Sequence, residues 1–121
     1  MKSPSDFKTK GFENGSYIFR QFESGQEAFI VKTGEVVLTQ TTDNKGTPEE
    51  KVLDILKAGT VFGEIALIDN KPRMASAKAH SDNVSLLILT KDQFTIMLDT
   101  TNPFIKKLLE ILANLVRTNI K

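Results

Sequence analysis

The 121-residue chain has no cysteine and no tryptophan, a single histidine, a single tyrosine and almost no net charge. Without cysteine there is no disulfide and no thiolate chemistry, which fits a reducing interior and makes a cytoplasmic location the expectation. His80, which nothing in the sequence pairs with a nucleophile, reads as a surface strand residue rather than a metal ligand or a base. A formal charge of +1, from 16 basic and 15 acidic residues, supports no direct attachment to nucleic acid. The longest apolar runs fall far short of a membrane span. The N-terminus, Met1-Lys2-Ser3-Pro4-Ser5-Asp6, has no apolar stretch of the kind a signal peptide needs. At this length one domain is expected over residues 1–121, and a hydrophobic content of 40% is enough for a modest core.

What is present divides at Thr90. Residues 1–10 are polar and read as a loose or helical lead-in. From Phe12 to Leu89 the chain runs as short β-like segments broken by glycine and polar turns. Tyr17–Phe22, Ala28–Val31, Glu35–Thr39, Lys51–Leu56, Ala75–Ala79 and Val84–Leu89 are the strand candidates. The stretch 43–48 (Asp-Asn-Lys-Gly-Thr-Pro) and the pair Ala58-Gly59 read as turns. Many short strands at close spacing suggest a sandwich, a barrel or a jelly roll, and composition alone leaves that choice open. After Leu89 the pattern turns helical. Thr90 or Asp92 can cap a helix running to about Leu98. Pro103 then suits the first turn of a second helix, where its missing N–H is no loss. Ile105, Leu108, Leu109, Leu112, Leu115 and Val116 fall at helical spacing there, against a polar stripe of Lys107, Glu110, Asn114, Arg117 and Lys121. Phe104, Ile111 and Ala113 widen the apolar arc beyond what packing on one surface requires.

The most informative window is 62–76, Phe-Gly-Glu-Ile-Ala-Leu-Ile-Asp-Asn-Lys-Pro-Arg-Met-Ala-Ser. A glycine, an acid and small or apolar residues begin what can be one short helical turn, and a prolyl-arginine with a small-residue pair follows. Backbone N–H groups and a guanidinium can share one phosphate, while the acid takes a hydroxyl of the same ligand. Taken singly these residues say little. An isolated arginine is usually solvated, Glu64 can serve as a helix-start acid, and Gly63 can be a turn glycine.

Order and spacing together resemble the phosphate-binding cassette of the cyclic nucleotide-binding domain family, which includes the protein kinase A regulatory subunit, the catabolite activator protein and cyclic-nucleotide-gated channels. The similarity extends over roughly residues 12–117. Phe12 to Arg20, with its Asn14-Gly15 turn, resembles the first strand. Gly25 resembles a turn glycine, Phe29-Ile30-Val31 an aromatic-aliphatic strand, and Phe94 to Arg117 the B and C helices. Phe22 departs from the pattern, since family members often carry glycine there. The resemblance implies a mainly β fold with flanking helices, an eight-stranded β-roll over about 12–89 followed by a helical tail over about 90–120.

It also implies a site. Arg73 is expected to pair with a cyclic phosphate, Glu64 to accept a ribose 2′-hydroxyl, Gly63 to let the backbone approach the sugar, and the N–H groups of Ala66 and Ala75 to complete the cradle. Phe62, Ile65 and Met74 fall in the same ligand-binding set. Leu109, Leu112 and Val116 are the candidates for an apolar lid over the base, no tryptophan or tyrosine being placed to cap it. Where cyclic GMP is preferred in the family, a threonine or serine often follows the arginine. Met74 stands there and offers no useful hydrogen bond, which implies cyclic AMP.

The expected function is thus a sensor or regulatory module that signals through the C-terminal helices to a protein partner, or as a homodimer through the C helix. It would either act by itself or form the regulatory part of something larger. No cofactor or metal is expected beyond the nucleotide ligand. An enzyme is disfavoured, because a phosphodiesterase would need a metal cluster or an activated water that one histidine and scattered acids do not provide. The alternative is a fold that has lost its nucleotide and serves as an interaction module.

Overall fold

A computed structural model describes residues 7–119. Eight strands, β1 (Lys8–Phe12), β2 (Tyr17–Phe19), β3 (Glu27–Thr33), β4 (Val36–Asn44), β5 (Thr47–Leu56), β6 (Val61–Phe62), β7 (Ser76–Ala79) and β8 (Val84–Thr90), are joined by helix α1 (Ile65–Asp69) and followed by α2 (Lys91–Asp99) and α3 (Pro103–Asn119). The strands form two four-stranded antiparallel sheets, in the orders β1-β8-β3-β6 and β2-β7-β4-β5. This is the expected eight-stranded β-roll with C-terminal helices.

The inner faces of the sheets meet in one core that includes Phe29, Val31, Val36, Leu56, Phe62, Val84, Leu86 and Ile88. Alternation explains the register. On β8, Val84, Leu86 and Ile88 point inward while Ser85, Leu87 and Leu89 between them are half-exposed. Small residues occupy the crowded positions, Ala77 and Ala79 on β7 being almost fully buried against β4.

Several boundaries differ from the sequence reading. Lys8–Lys10 belongs to β1, which pairs with β8, and is not a loose or helical lead-in; residues 1–6 lie outside those described. Its polar side chains hid it, because β1 is an edge strand with little to bury. The segment Phe12 to Arg20 is the end of β1, a turn and the short β2, so that no strand crosses it whole. The turn at 43–48 is tighter than expected. β4 and β5 run together to the Asn44–Thr47 pair, and only Lys45 and Gly46 turn, with φ of 53° and 84°. Two consecutive left-handed residues match a two-residue hairpin loop of the type that follows strand twist.

The helix signals hold. Thr90, rather than Asp92, caps α2 through a reciprocal capping box with Gln93. Pro103 opens α3, preceded by Asn102, whose side chain accepts a hydrogen bond from the Phe104 N–H. None of the residues of α2 is buried, and Ala113 alone is buried on α3.

Candidate functional site

The site begins with three phenylalanines. Phe19 on β2, Phe29 on β3 and Phe62 on β6 bring their ring centroids to 5.2–6.0 Å of one another. On that apolar platform lies the guanidinium of Arg73, its Cζ 4.0 Å from the Phe19 centroid, an attractive placement for a cation over a ring face.

Arg73 is only 5% exposed, which for a permanently charged group demands partners. It finds carbonyls and nearby acids. Nη1 donates to the Gly63 carbonyl and Nη2 to the Glu27 carbonyl, each at 2.6 Å. Burial lowers its pKa from the ordinary guanidinium value, and Glu27, Glu23 and Glu64 partly offset that through their charges. Its buried Nε has no acceptor. Nε is packed against Gly25, where a Cβ would stand 3.0 Å from it.

Two glycines make the room. A Cβ on Gly25 would stand 2.6 Å from the Ala66 Cβ and 3.0 Å from the Arg73 Cζ. On Gly63, whose φ is +79°, a Cβ would meet Arg73 Nη1 at 2.9 Å. Both positions are therefore closed to any side chain while Arg73 keeps this pose. The 20–25 loop is tied to the same arginine by its backbone: the Phe22 N–H donates to the Arg73 carbonyl and the Arg73 N–H to the Glu23 carbonyl. Phe22 takes φ 75°, a region glycine favours, and so remains left-handed at a strain of about 1–3 kcal/mol.

Above Arg73 opens a cavity of ≈ 300 Å³. Phe62, Gly63, Glu64, Ile65, Ala66, Arg73, Met74 and Ala75 all line it, so the eight ligand-binding candidates share one pocket. The three lid candidates divide. Val116 reaches the wall, whereas Leu109 and Leu112 lie off it, Leu109 half-buried and Leu112 exposed. Sequence reasoning missed Phe19, Leu38, Asp54, Leu56, Thr60, Val61 and Arg117, which complete the lining. Most come from distant strands, and nothing local marks them. Arg117, expected in the polar stripe of the second tail helix, is half-buried and bonded to Asp69 and to the Pro72 and Lys71 carbonyls.

Glu64 and Asp69 sit at opposite ends of the α1 segment and are tuned in opposite directions. Burial pushes Glu64 above the ordinary carboxylate value of 4.5, against a bond from its own N–H and the Arg73 charge. Burial acts upward on Asp69 too. There the Arg117 hydrogen bond, the Lys71 N–H and the charges of both residues outweigh it, so the carboxyl falls below the ordinary 3.8. Outside the helices and strands, no hydrogen bond among the described residues has the N–H of Ala66 or Ala75 as its donor. No group of three His, Cys, Asp or Glu among the described residues is placed to hold a metal ion. No described helix is long and apolar enough to cross a membrane.

A β-roll that buries one arginine behind a short helical cassette, on the wall of a small cavity, has the architecture of an anion-binding domain. Residues 9–101 match the cyclic nucleotide-binding domain family, and the chain belongs to it. It is 33% identical over 110 residues to human cGMP-dependent protein kinase 2, covering 91% of this chain and 14% of that protein. Among solved structures it is similar to the cAMP-bound EAL enzyme Bd1971, with TM-score 0.83 and 33% identity over 93% of this chain and 29% of that one. It is also similar to the Thermus thermophilus catabolite activator protein, with TM-score 0.72 and 30% identity over 95% and 51% respectively. The chain thus spans a minor part of the curated relatives and about half of the activator.

Proposed function

We propose that this chain is a cytoplasmic cyclic nucleotide sensor that prefers cyclic AMP and passes the ligand's presence to a protein through α3, with no catalysis of its own. The observation that carries this reading is Arg73: a buried, permanently charged side chain on the wall of a cavity that also holds Glu64. A cyclic phosphate, singly charged and rich in acceptors, answers that charge with charge-assisted hydrogen bonds of roughly 1.5–3 kcal/mol each. The Ala66 and Ala75 amides add neutral donors. Glu64 accepts the ribose 2′-hydroxyl, and Gly63 leaves the backbone bare beside the sugar.

The base then rests against Val116, with Leu112 one helical turn away on the same face and Leu109 beside them, so that a small shift of α3 brings more apolar surface over it. Such a shift biases the tail between two positions, which is how a ligand with differential affinity becomes a signal. Phe104, Ile105, Leu108, Ile111, Leu112 and Leu115 are all exposed on α3. That arc supports contact with a partner protein or a second copy of the chain.

Met74 supports cyclic AMP. Its side chain brings no hydroxyl to the pocket, and its carbonyl is taken by the Gln40 amide. Cyclic GMP is the second reading, favoured by the similarity to cGMP-dependent kinases. Calorimetry with cyclic AMP, cyclic GMP and AMP decides between them. We expect micromolar binding of cyclic AMP, weaker binding of cyclic GMP and none of AMP. Tighter cyclic GMP reverses the preference, silence for all three leaves an interaction module without a nucleotide, and turnover to AMP makes the chain an enzyme. Met74→Thr should raise relative affinity for cyclic GMP by about 2- to 10-fold, the value of one neutral hydrogen bond.

A further inference from the structure

Three of the four ion pairs among the described residues lie on the surface, their side chains between 38% and 75% exposed. Such pairs contribute little. The fourth, Arg117 to Asp69, is different, with both side chains about 15% exposed.

Arg117 uses its whole fork. Nε donates to Asp69 Oδ2, Nη2 to Asp69 Oδ1 at 3.0 Å and to the Lys71 carbonyl at 3.3 Å, and Nη1 to the Pro72 carbonyl at 2.9 Å. Every acceptor falls within residues 69–72, the short link between the last residue of α1 and Arg73. That link turns on Asn70, in a left-handed conformation with φ 57°. Meanwhile α3 packs on the body chiefly through α1 and buries only Ala113 fully. The fork is therefore a large share of what seats α3. The neighbouring Val116 lines the cavity, as does Arg117 itself.

We propose that Arg117 and Asp69 form a latch that fixes α3 to the link preceding Arg73 and thereby sets how firmly the cavity is covered. A planar bidentate fork demands one geometry of its acceptors, so a displacement of residues 69–72 loosens all four bonds together. Arg117 is a positioning residue: it places Val116 over the pocket. Its effect on nucleotide affinity rests on the proposed function, whereas its effect on α3 does not.

The test measures amide hydrogen exchange over residues 109–119 without ligand, and the cyclic AMP dissociation rate, in the wild type, Arg117→Gln, Arg117→Lys and the charge swap Asp69→Arg with Arg117→Asp. Exchange in β8 verifies that the body remains folded. We expect Arg117→Gln to speed exchange in 109–119 and cyclic AMP release each by on the order of tenfold. Arg117→Lys should fall between it and the wild type, and the swap should recover part of the loss. Unchanged exchange in Arg117→Gln overturns the latch, as does a swap no better than Arg117→Gln. Should the wild type bind no cyclic nucleotide, the functional reading fails while the exchange data still decide the latch.

Discussion

Leu86 on β8 has no exposed surface, whereas Leu115 on α3, equally apolar, leaves 49% of its surface in water. The contrast runs through the whole molecule. In the β-roll, inward-facing residues of two sheets interlock in one core, and Phe19, Phe29 and Phe62 at that core form the platform beneath Arg73. In the tail, α2 buries no residue and α3 buries one, while Ile96, Phe104, Ile111 and Leu112 face solvent. The same hydrophobic content therefore does two jobs. In the body it stabilises the fold; in the tail much of it stays in contact with solvent, which suits the movement proposed for α3.

Replacing the anion anchor should break this division most visibly. Arg73→Ala should weaken cyclic nucleotide binding by about 30- to several-thousand-fold, since leaving one partner of a buried charge pair unanswered costs about 2–5 kcal/mol. Val116→Ala, on the tail side of the same pocket, should lose tenfold at most. Titration calorimetry on both variants checks the ranking, and equal losses would mean that the tail shares the anchoring.

Stability should divide the same way. Leu86→Ala should lower unfolding free energy by about 2–5 kcal/mol through lost burial and a residual cavity. Leu115→Gln should stay within about 0.5 kcal/mol. Denaturant melts measure both. A large loss for Leu115→Gln would show that the tail surface is already covered, for instance by a second copy.

The smallest expected effect comes from pH. The folded pKa of Glu64 lies above its unfolded value, so its contribution to stability is complete below about pH 4.5 and declines as pH rises through the folded pKa. Nucleotide binding should move oppositely, strengthening as the carboxylate forms and accepts the ribose hydroxyl. Asp69 is depressed, so its contribution is present above about pH 3.8 and is lost only as pH falls through its lower folded value. Binding measured between about pH 4.5 and 7 should therefore report Glu64 and leave the latch intact. Glu64→Gln should flatten the profile, and an unchanged slope would remove Glu64 from that role.

The cassette was legible because its chemistry is local. Gly63, Glu64, Ala66, Arg73 and Ala75 stand within one thirteen-residue window, and a phosphate needs groups of those types close together. The helix caps were legible for the same reason, Thr90 with Gln93 and Asn102 ahead of Pro103. Strand β1 was not, since an edge strand with polar side chains carries no burial pattern. The phenylalanine platform escaped notice because Phe19, Phe29 and Phe62 reach it from three strands. Arg117 was misread because an arginine after a leucine stripe carries no mark of the carboxylate 48 positions earlier.

By itself, the order of residues determined a body of short strands, the cassette and the two tail helices, because alternation, caps and a compact anion motif are short-range properties; the choice of a β-roll over a sandwich or barrel came only from the family resemblance. Only the tertiary structure decided that Val116, and not Leu109 or Leu112, stands at the pocket, and that Arg117 grips Asp69. Those outcomes depend on the angle at which α3 crosses α1, which is fixed by packing between segments far apart in the chain.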